Sequence, residues 1–168
     1  MIQQPLDAPA RTTTSLAGKH LTFLIGEELY AIPVLKVREI IRHTPITPVP
    51  RMPGYIRGVL NLRGKVIPVA DLRMRFGLGD GTILERTCII VVQKTQPDGQ
   101  LANMGLIVDS VRAVAQVAES DIEPTPDFGG QLSAECIMAM AKLDDRVVTL
   151  LDIDRALDTC MPHAEQLR

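Results

Sequence analysis

Short apolar or alternating runs, separated by turn-forming residues, make up most of the chain. The runs that predict strands are LTFLI, LYAIP, CIIVVQ, MGLIVDSV, RAVAQV, IMAMAKL and RVVTLLDI. Short strands at a spacing of roughly 8 to 12 residues are typical of a barrel or a sandwich. VLKVREII fits neither the helical nor the strand period, while LRMRF and DRALDTC predict short helical segments. The pattern therefore predicts an all-β fold with a few short helices, one of them near the C-terminus.

The segment IRGVLNLRGKVIPVADLR, residues 56–73, predicts a β-hairpin that runs into a short helix. Its turn is Arg63-Gly64, so a cation stands at the tip of a tight turn. Asp71 follows the second strand, where a carboxylate can accept hydrogen bonds from the free N–H groups of a helix start. The segment predicts an exposed arginine and a structural aspartate.

Two pairs of segments resemble each other within the chain. Residues 62–76 align without gaps on residues 143–157, and residues 30–40 align loosely on residues 104–114. Their common order indicates a duplicated unit, with coincidence over short apolar segments as the alternative. The alignment pairs Asp71 with Asp152, which predicts two helix caps. It pairs Arg63 with Asp144, so the turn does not need an arginine and a surface role for Arg63 is favoured.

The composition and charge change this picture in two ways. The chain has 168 residues, of which 46% are hydrophobic and 3% aromatic, with no Trp, so an aliphatic core in one domain or two very small ones is expected. Residues 20–76 carry a net charge of +5, residues 77–168 carry −8 and residues 1–19 carry +1. Opposite halves can attract each other, a neighbouring copy or separate partners. Two ordinary solvated surfaces are the alternative.

No signal for export or membrane insertion is present. The N-terminus lacks a basic start followed by an apolar stretch, and no apolar run approaches the roughly 18 residues of a spanning helix. A soluble cytoplasmic protein with a loose tail over residues 1–19 is therefore expected. Three widely spaced cysteines, Cys88, Cys136 and Cys160, are typical of reduced thiols.

The familiar motifs of catalysis and metal binding are missing from the sequence. It has no P-loop, and GLGDG at residues 77–81 is better explained as a turn. The three histidines share no metal-ligand spacing with one another or with the cysteines, and the serines lack a nucleophile-elbow context. No catalytic residue, metal or cofactor is predicted.

A partner-binding surface is the better hypothesis. Its candidate residues are Arg63, Glu39 and the apolar positions Val37, Val111 and Val114. A guanidinium can pair with a carboxylate and also stack on apolar neighbours, which suits a protein interface. A solvated turn arginine and an ordinary surface glutamate are the alternative, and for Arg63 taken alone the residues favour this alternative.

These segments together resemble the CheW family of bacterial chemotaxis coupling proteins. The residues that carry the resemblance are YAIPVLKVREII, IRGVLNLRGKVIPVADLR, GLIVDSVRAV, IEP and RVVTLLDI. The central motif is specific, with Gly58, Asn61, Arg63, Gly64, Pro68 and Asp71 in register. The likeness predicts a CheW-like domain over residues 20–157 and a C-terminal tail over residues 158–168.

The resemblance implies two small, interlocked five-stranded β-barrel subdomains that share a core. It implies a non-catalytic adaptor between the cytoplasmic tips of transmembrane chemoreceptors and the histidine kinase CheA, whose regulatory domain has the same fold. Ring contacts between CheW-like domains, and recruitment from the cytoplasm to membrane-associated receptor arrays, are implied as well. Direct membrane insertion is not.

The resemblance also implies site residues, at the positions of this sequence that match functional positions of the family. Glu39 and Arg63 match positions that affect receptor and kinase coupling. Val37, Gly58, Val111 and Val114 match positions in or near the receptor-binding groove between the subdomains. Gly58 can equally be required for backbone geometry. Structural roles are expected for Asn61, Gly64, Pro68, Asp71 and Asp152.

Two other functions remain as hypotheses. A basic barrel that binds nucleic acid through residues 36–75 is one, because small barrels often bind oligonucleotides and nine cations lie between residues 20 and 76. The few aromatic residues available for base stacking weigh against it. An enzyme with an unrecognised site is the other, and it ranks lowest.

Overall fold

The computed structural model describes residues 16–79, 81–123 and 136–158. Most of this part of the chain is extended, as the apolar runs predict. The strands are β1 (Gly18–Ile25), β2 (Glu28–Pro33), β3 (Val37–Arg42), β4 (Ile56–Leu62), β5 (Lys65–Asp71), β6 (Cys88–Thr95), β7 (Leu101–Val108), β8 (Ser110–Val117), β9 (Ile122–Glu123), β10 (Ile137–Leu143) and β11 (Arg146–Leu151). The helices are α1 (Leu72–Arg75) and α2 (Ile153–Asp158), with 3₁₀ turns at Val34–Lys36 and Glu119–Asp121.

The strands form two sheets. Sheet A has the order β8-β1-β2-β11-β10-β9, and sheet B has the order β3-β6-β7-β5-β4. In both sheets the pairing is antiparallel except at one position, β2 with β11 in sheet A and β5 with β7 in sheet B. The predicted all-β fold with two subdomains and short helices is confirmed.

Each sheet curls, and one continuous, bent segment of the chain runs from one edge of the sheet to the other. In sheet A the edge strands β8 and β9 are joined by the 3₁₀ turn Glu119–Asp121. In sheet B the chain continues from β3 to Thr47, which exchanges two backbone hydrogen bonds of 2.9 Å with Val59 of β4. Within the described residues neither ladder is continuous all the way round. The predicted barrels are therefore open sheets that a bent segment brings close to closure.

The predicted duplication is visible in the order of elements. A hairpin, a strand, a second hairpin and a helix occur as β1 to α1 and again from β6 to α2. The parallel pairs Leu150 with Ala31 and Val69 with Gly105 occupy matching positions in the two sheets. Each sheet combines the first hairpin of one repeat with the remaining strands of the other. The two repeats are interlocked because they exchange hairpins.

The central core lies where the sheets meet. It contains Phe23 and Tyr30 from sheet A, Leu106 from sheet B, and Leu72 and Leu157 from the helices. A second apolar cluster lies within sheet A and a third within sheet B. The core is shared by both repeats and is mainly aliphatic, as the composition predicts, but it also contains the aromatic residues Phe23, Tyr30 and Phe76.

The N-terminal boundary differs from the prediction. Leu16 is buried in the sheet A cluster, and β1 begins at Gly18, so the folded part starts before the predicted tail ends at residue 19. Burial of an apolar side chain and strand pairing fix this short segment. Residues 1–15, Pro124 of the IEP motif, Cys160 and the C-terminal tail beyond residue 158 lie outside the described residues.

Candidate partner-binding surface

The hairpin tip that carries Arg63 is a two-residue turn. Leu62 pairs with Lys65, and the two central residues have positive φ, 54° at Arg63 and 84° at Gly64. This is the backbone of a type I′ turn, whose twist matches that of the flanking strands. The Gly64 N–H also donates to Asn61 Oδ1 at 3.0 Å. The predicted structural roles of Gly64 and Asn61 therefore have a direct geometric basis.

The second repeat has the same turn with different residues. Leu143 pairs with Arg146, and Asp144 and Asp145 have φ of 50° and 64°. A non-glycine residue in this region is uncommon, and aspartate adopts it more readily than most. The fold therefore needs positive φ at this tip, and it does not need an arginine side chain.

The structure brings Arg63 and Glu39 together. Arg63 Nη1 lies 2.8 Å from Glu39 Oε2, although β3 and β4 stand at opposite ends of the sheet B order. The curl of the sheet makes this contact possible. The Arg63 side chain is 79% exposed and that of Glu39 is 23% exposed. Exposed ion pairs typically contribute about 0.2–1 kcal/mol, so this pair orients the guanidinium more than it stabilises the fold.

The first repeat has this ion pair, and the aligned positions of the second repeat do not. Glu39 pairs with Val91 just beyond a bulge, and Ala113 pairs with Thr22 just beyond the matching bulge. Ala113 and Asp144 thus stand where the first repeat has Glu39 and Arg63. Two structurally matched sites with different chemistry indicate that the pair serves the surface rather than the scaffold.

The three predicted valines occupy two environments. Val37 pairs with Val92 and Val111 pairs with Phe23, at matching positions of the two repeats. Both valines are half-buried against the central core, at the junction of the sheets. Val114 is instead 58% exposed on β8. Val37 and Val111 form the walls of the junction, while Val114 projects from it.

Gly58 has a backbone requirement. Its φ is +143°, and a Cβ built on it would lie 2.0 Å from the carbonyl oxygen of Thr47. That oxygen accepts the Val59 N–H in the bridge that draws the edges of sheet B together. The close approach explains glycine at this position. A direct contact between Gly58 and a partner stays a prediction.

Asp71 caps helix α1, as predicted. Its Oδ1 accepts the N–H groups of Arg73 at 2.9 Å and Met74 at 3.4 Å, and its Oδ2 lies 3.3 Å from Arg57 Nε. Burial raises the pKa of the Asp71 carboxyl above its ordinary value, although Arg57 and the two N–H groups act in the opposite direction. The carboxylate is a buried structural group.

Asp152 has the matching role in the second repeat. Its Oδ1 accepts the N–H of Arg155 at 3.2 Å at the start of α2. Pro68 lies opposite Val59 in β5, one residue before the parallel pairing with β7 begins at Val69. A residue without an N–H is tolerated there because no β7 ladder bond is lost.

Leu35 is a candidate contact that the sequence analysis missed. It lies in the 3₁₀ turn Val34–Lys36, none of whose residues is buried, and it is 92% exposed. The turn leads directly into β3, which carries Val37 and Glu39. The ambiguous apolar spacing of VLKVREII was the available signal, since an apolar residue that fits neither period can point to solvent.

Much of the basic charge of residues 20–76 is paired with acids. Four of its cations, Lys36, Arg57, Arg63 and Arg73, have partners in Asp154, Asp71, Glu39 and Asp109. Two of these acids, Asp109 and Asp154, come from the acidic half, so the opposite charges attract each other within the molecule. This pairing weakens the case for a basic nucleic-acid surface, because those cations already have partners.

A cavity of about 360 Å³ lies beside α1 and is lined in part by His43, Arg57, Asp71, Arg73 and Asp109. Its two arginines are paired with its two aspartates, at 3.3 Å and 3.1 Å. The described residues contain no group of three His, Cys, Asp or Glu side chains that could hold a metal ion. No helix in the described ranges is long and apolar enough to cross a membrane.

Comparison with known proteins decides the family. The model of the CheW-like domain matches residues 19–160. The chain belongs to the CheW-like family. The chemotaxis protein CheW of Rhizobium meliloti is 34% identical over 146 residues, which cover 82% of this chain and 91% of the relative. The CheW of Klebsiella aerogenes is 33% identical over 153 residues, covering 88% and 89%.

A solved structure agrees with this assignment. The crystal structure of the scaffolding protein TtCheW from Thermoanaerobacter tengcongensis superposes with a TM-score of 0.75 at 34% identity. The match covers 84% of this chain and 93% of that one. The resemblance recognised from the central motif is confirmed for the family and for the fold. The nucleic-acid alternative gains no support from any of these comparisons.

Proposed function

We propose that this chain is a non-catalytic adaptor that couples transmembrane chemoreceptors to the histidine kinase CheA in chemosensory signal transduction. Membership of the CheW-like family supports the adaptor role. The observation that carries the proposal is the Glu39–Arg63 ion pair, in which the guanidinium stays 79% exposed. An oriented and accessible guanidinium is suited to a carboxylate or an apolar surface on a partner.

The junction of the two sheets is the proposed receptor site. Val37 on β3 and Val111 on β8 are both half-buried against the shared core. An exposed apolar surface of this kind can accept the apolar face of a partner helix. Gly58 supports this surface by allowing the bend of sheet B, and Val114 extends it on β8. The adaptor would act in the cytoplasm at membrane-associated arrays.

Ring contacts between CheW-like domains are the third proposed interaction. The two hairpin tips occupy matching positions but differ in charge, which is +2 from Arg63 and Lys65 on one and −1 from Asp144, Asp145 and Arg146 on the other. Opposite charges at the two ends favour head-to-tail contact over self-complementary pairing. Weak contacts of this kind gain strength from many copies in an array.

The proposal is tested by binding measurements with purified components. The wild-type chain should bind both the CheA regulatory domain and a receptor cytoplasmic tip, as measured by calorimetry. Arg63→Glu should weaken binding to the regulatory domain while its circular dichroism and melting temperature stay native, because the side chain is exposed. Arg86→Glu, the same charge reversal at an exposed arginine outside the proposed contact surfaces, is the control and should bind this domain like the wild type.

Two results would overturn the assignment. If the folded wild type binds neither component, the chain is not this adaptor. If Arg63→Glu remains folded and binds the regulatory domain as tightly as the wild type, the ion pair has no role in coupling. Arg63→Ala separates loss of the cation from the repulsion that a new carboxylate beside Glu39 introduces.

A further inference from the structure

Two aspartates hold the exchanged hairpins in place at matching points of the fold. Asp109, between β7 and β8, accepts the Gly26 N–H at the end of the first hairpin strand. Its Oδ2 also lies 3.1 Å from Arg73 Nη1 at the start of α1. We call Gly26, Arg73 and Asp109 the Asp109 clamp. It connects the β1-β2 hairpin to helix α1 and to the junction between β7 and β8.

The second aspartate does the same for the other hairpin. Asp154, in α2, accepts the Thr95 N–H at 2.9 Å at the end of β6, and its Oδ2 lies 2.9 Å from Lys36 Nζ. We call Lys36, Thr95 and Asp154 the Asp154 clamp. It ties the β6-β7 hairpin to helix α2 and to the 3₁₀ turn that precedes β3.

The two clamps have reversed charges. Arg73 and Asp154 are matching residues in the duplicated alignment, so the helix supplies the cation in one clamp and the carboxylate in the other. The strand junction supplies the opposite charge each time, from Asp109 in one clamp and from Lys36 in the other. Asp109 itself matches Leu35. Leu35 is not part of the second clamp and is 92% exposed.

We propose that Asp154 is a positioning residue for the partner surface, which it serves by holding the turn that carries Leu35 and leads into β3. None of the residues of this turn is buried, so apolar packing does not anchor it strongly. The Lys36 and Asp154 side chains are each 31% exposed, and a pair with that exposure contributes little to global stability. The clamp therefore acts on the position of Leu35, Val37 and Glu39 rather than on the stability of the whole fold.

This inference rests on the proposed function for its binding test and on the free protein for its structural test. Three variants separate the contacts: Asp154→Ala removes both, Asp154→Asn keeps an acceptor for Thr95 but loses the charge, and Lys36→Gln removes only the cation. Asp109→Ala and Asp109→Asn are the matched controls for the two Asp154 variants, because they alter the same chemistry at the other clamp. Melting temperatures establish that each variant is folded.

The first measurement is amide hydrogen exchange of the free chain. Asp154→Ala should speed exchange at residues 34–39 and at Thr95, and Lys36→Gln should do so over residues 34–39. Asp109→Ala and Asp109→Asn should leave these amides unchanged. The second measurement is binding to the CheA regulatory domain. Asp154→Ala should bind about tenfold more weakly, while Asp109→Ala stays within about twofold of the wild type.

Three outcomes would overturn the proposal. Unchanged exchange at residues 34–39 in Asp154→Ala would show that the clamp does not hold the turn. Equal losses of affinity in folded Asp154→Ala and Asp109→Ala would indicate a general stability effect. Faster exchange with unchanged affinity would remove the link to the partner. If the wild type binds no partner, the proposed function fails and the positioning role fails with it, whereas the exchange data still decide whether the clamp orders the turn.

Discussion

Replacement of Gly58 by alanine is expected to destabilise the fold by a large amount. The new Cβ would lie 2.0 Å from the Thr47 carbonyl oxygen, 2.7 Å from its carbon and 2.9 Å from Pro48 Cα. All three are backbone atoms, so no flexible side chain can move aside. The segment from Thr47 to Pro48 must shift, and the bridge between Thr47 and Val59 must open.

The magnitude has two parts. A non-glycine residue held at a φ of +143° costs about 1–3 kcal/mol. Loss of the two bridge hydrogen bonds costs about 1–3 kcal/mol more, at about 0.5–1.5 kcal/mol each. The sum is about 2–6 kcal/mol. In a chain of this size that lowers the melting temperature by roughly 6–18 °C, since each kcal/mol corresponds to about 3 °C.

Thermal and urea unfolding followed by circular dichroism measure this loss. Gly64→Ala is the control, because Gly64 has a φ of +84° and nothing lies within 4 Å of its Cβ position. It should lose only about 1–2 kcal/mol from backbone strain. If Gly58→Ala melts at a higher temperature than the Gly64→Ala control, the close approach to Thr47 is not the reason for glycine, and a direct partner contact becomes the better explanation.

Three further predictions concern single side chains. A double-mutant cycle with Glu39→Ala and Arg63→Ala should give a coupling energy of at most about 1 kcal/mol in urea unfolding, because the pair is exposed; a much larger value would make the pair a scaffold element. Burial raises the pKa of Asp71, so the folded state binds the carboxyl proton more tightly than the unfolded state does. The stability that comes from this tighter proton binding is present at low pH and is lost as the pH rises through the folded pKa. When the pH is lowered from 7 to 4, the melting temperature of the wild type should therefore rise relative to that of Asp71→Asn. A fall would show that the cap and Arg57, which lower the pKa, outweigh the effect of burial. Leu35→Ser should leave the melting temperature unchanged but weaken partner binding. The same substitution at the exposed Leu101 should affect neither.

The elements that the sequence predicts best are local ones. The two-residue turn at Arg63-Gly64 and the cap at Asp71 depend on residues within a few positions, so their chemistry is readable in the chain. The alignment of Asp71 with Asp152 extended that prediction correctly to the second repeat. The central motif identified the family, and membership of the family predicted the two-subdomain fold.

The candidate site was predicted residue by residue but not as an arrangement. Glu39 and Arg63 were both named, yet their ion pair depends on the curl of sheet B, which brings strands from opposite ends of the sheet together. The exchange of hairpins was not predicted, because β2 pairs with β11 and β5 with β7 over long separations. Asp154 was missed for the same reason, since its role arises from contacts with the distant residues Lys36 and Thr95.

The measurement that tests the central claim most directly is CheA autophosphorylation in receptor-containing membranes. Kinase activity should rise when the wild-type chain is added, and it should stay near the basal level with Arg63→Ala that is folded by circular dichroism. Activity that is the same with the wild type and without it would contradict the adaptor role. Full activation by the folded Arg63→Ala variant would contradict the role of Arg63 as a coupling contact.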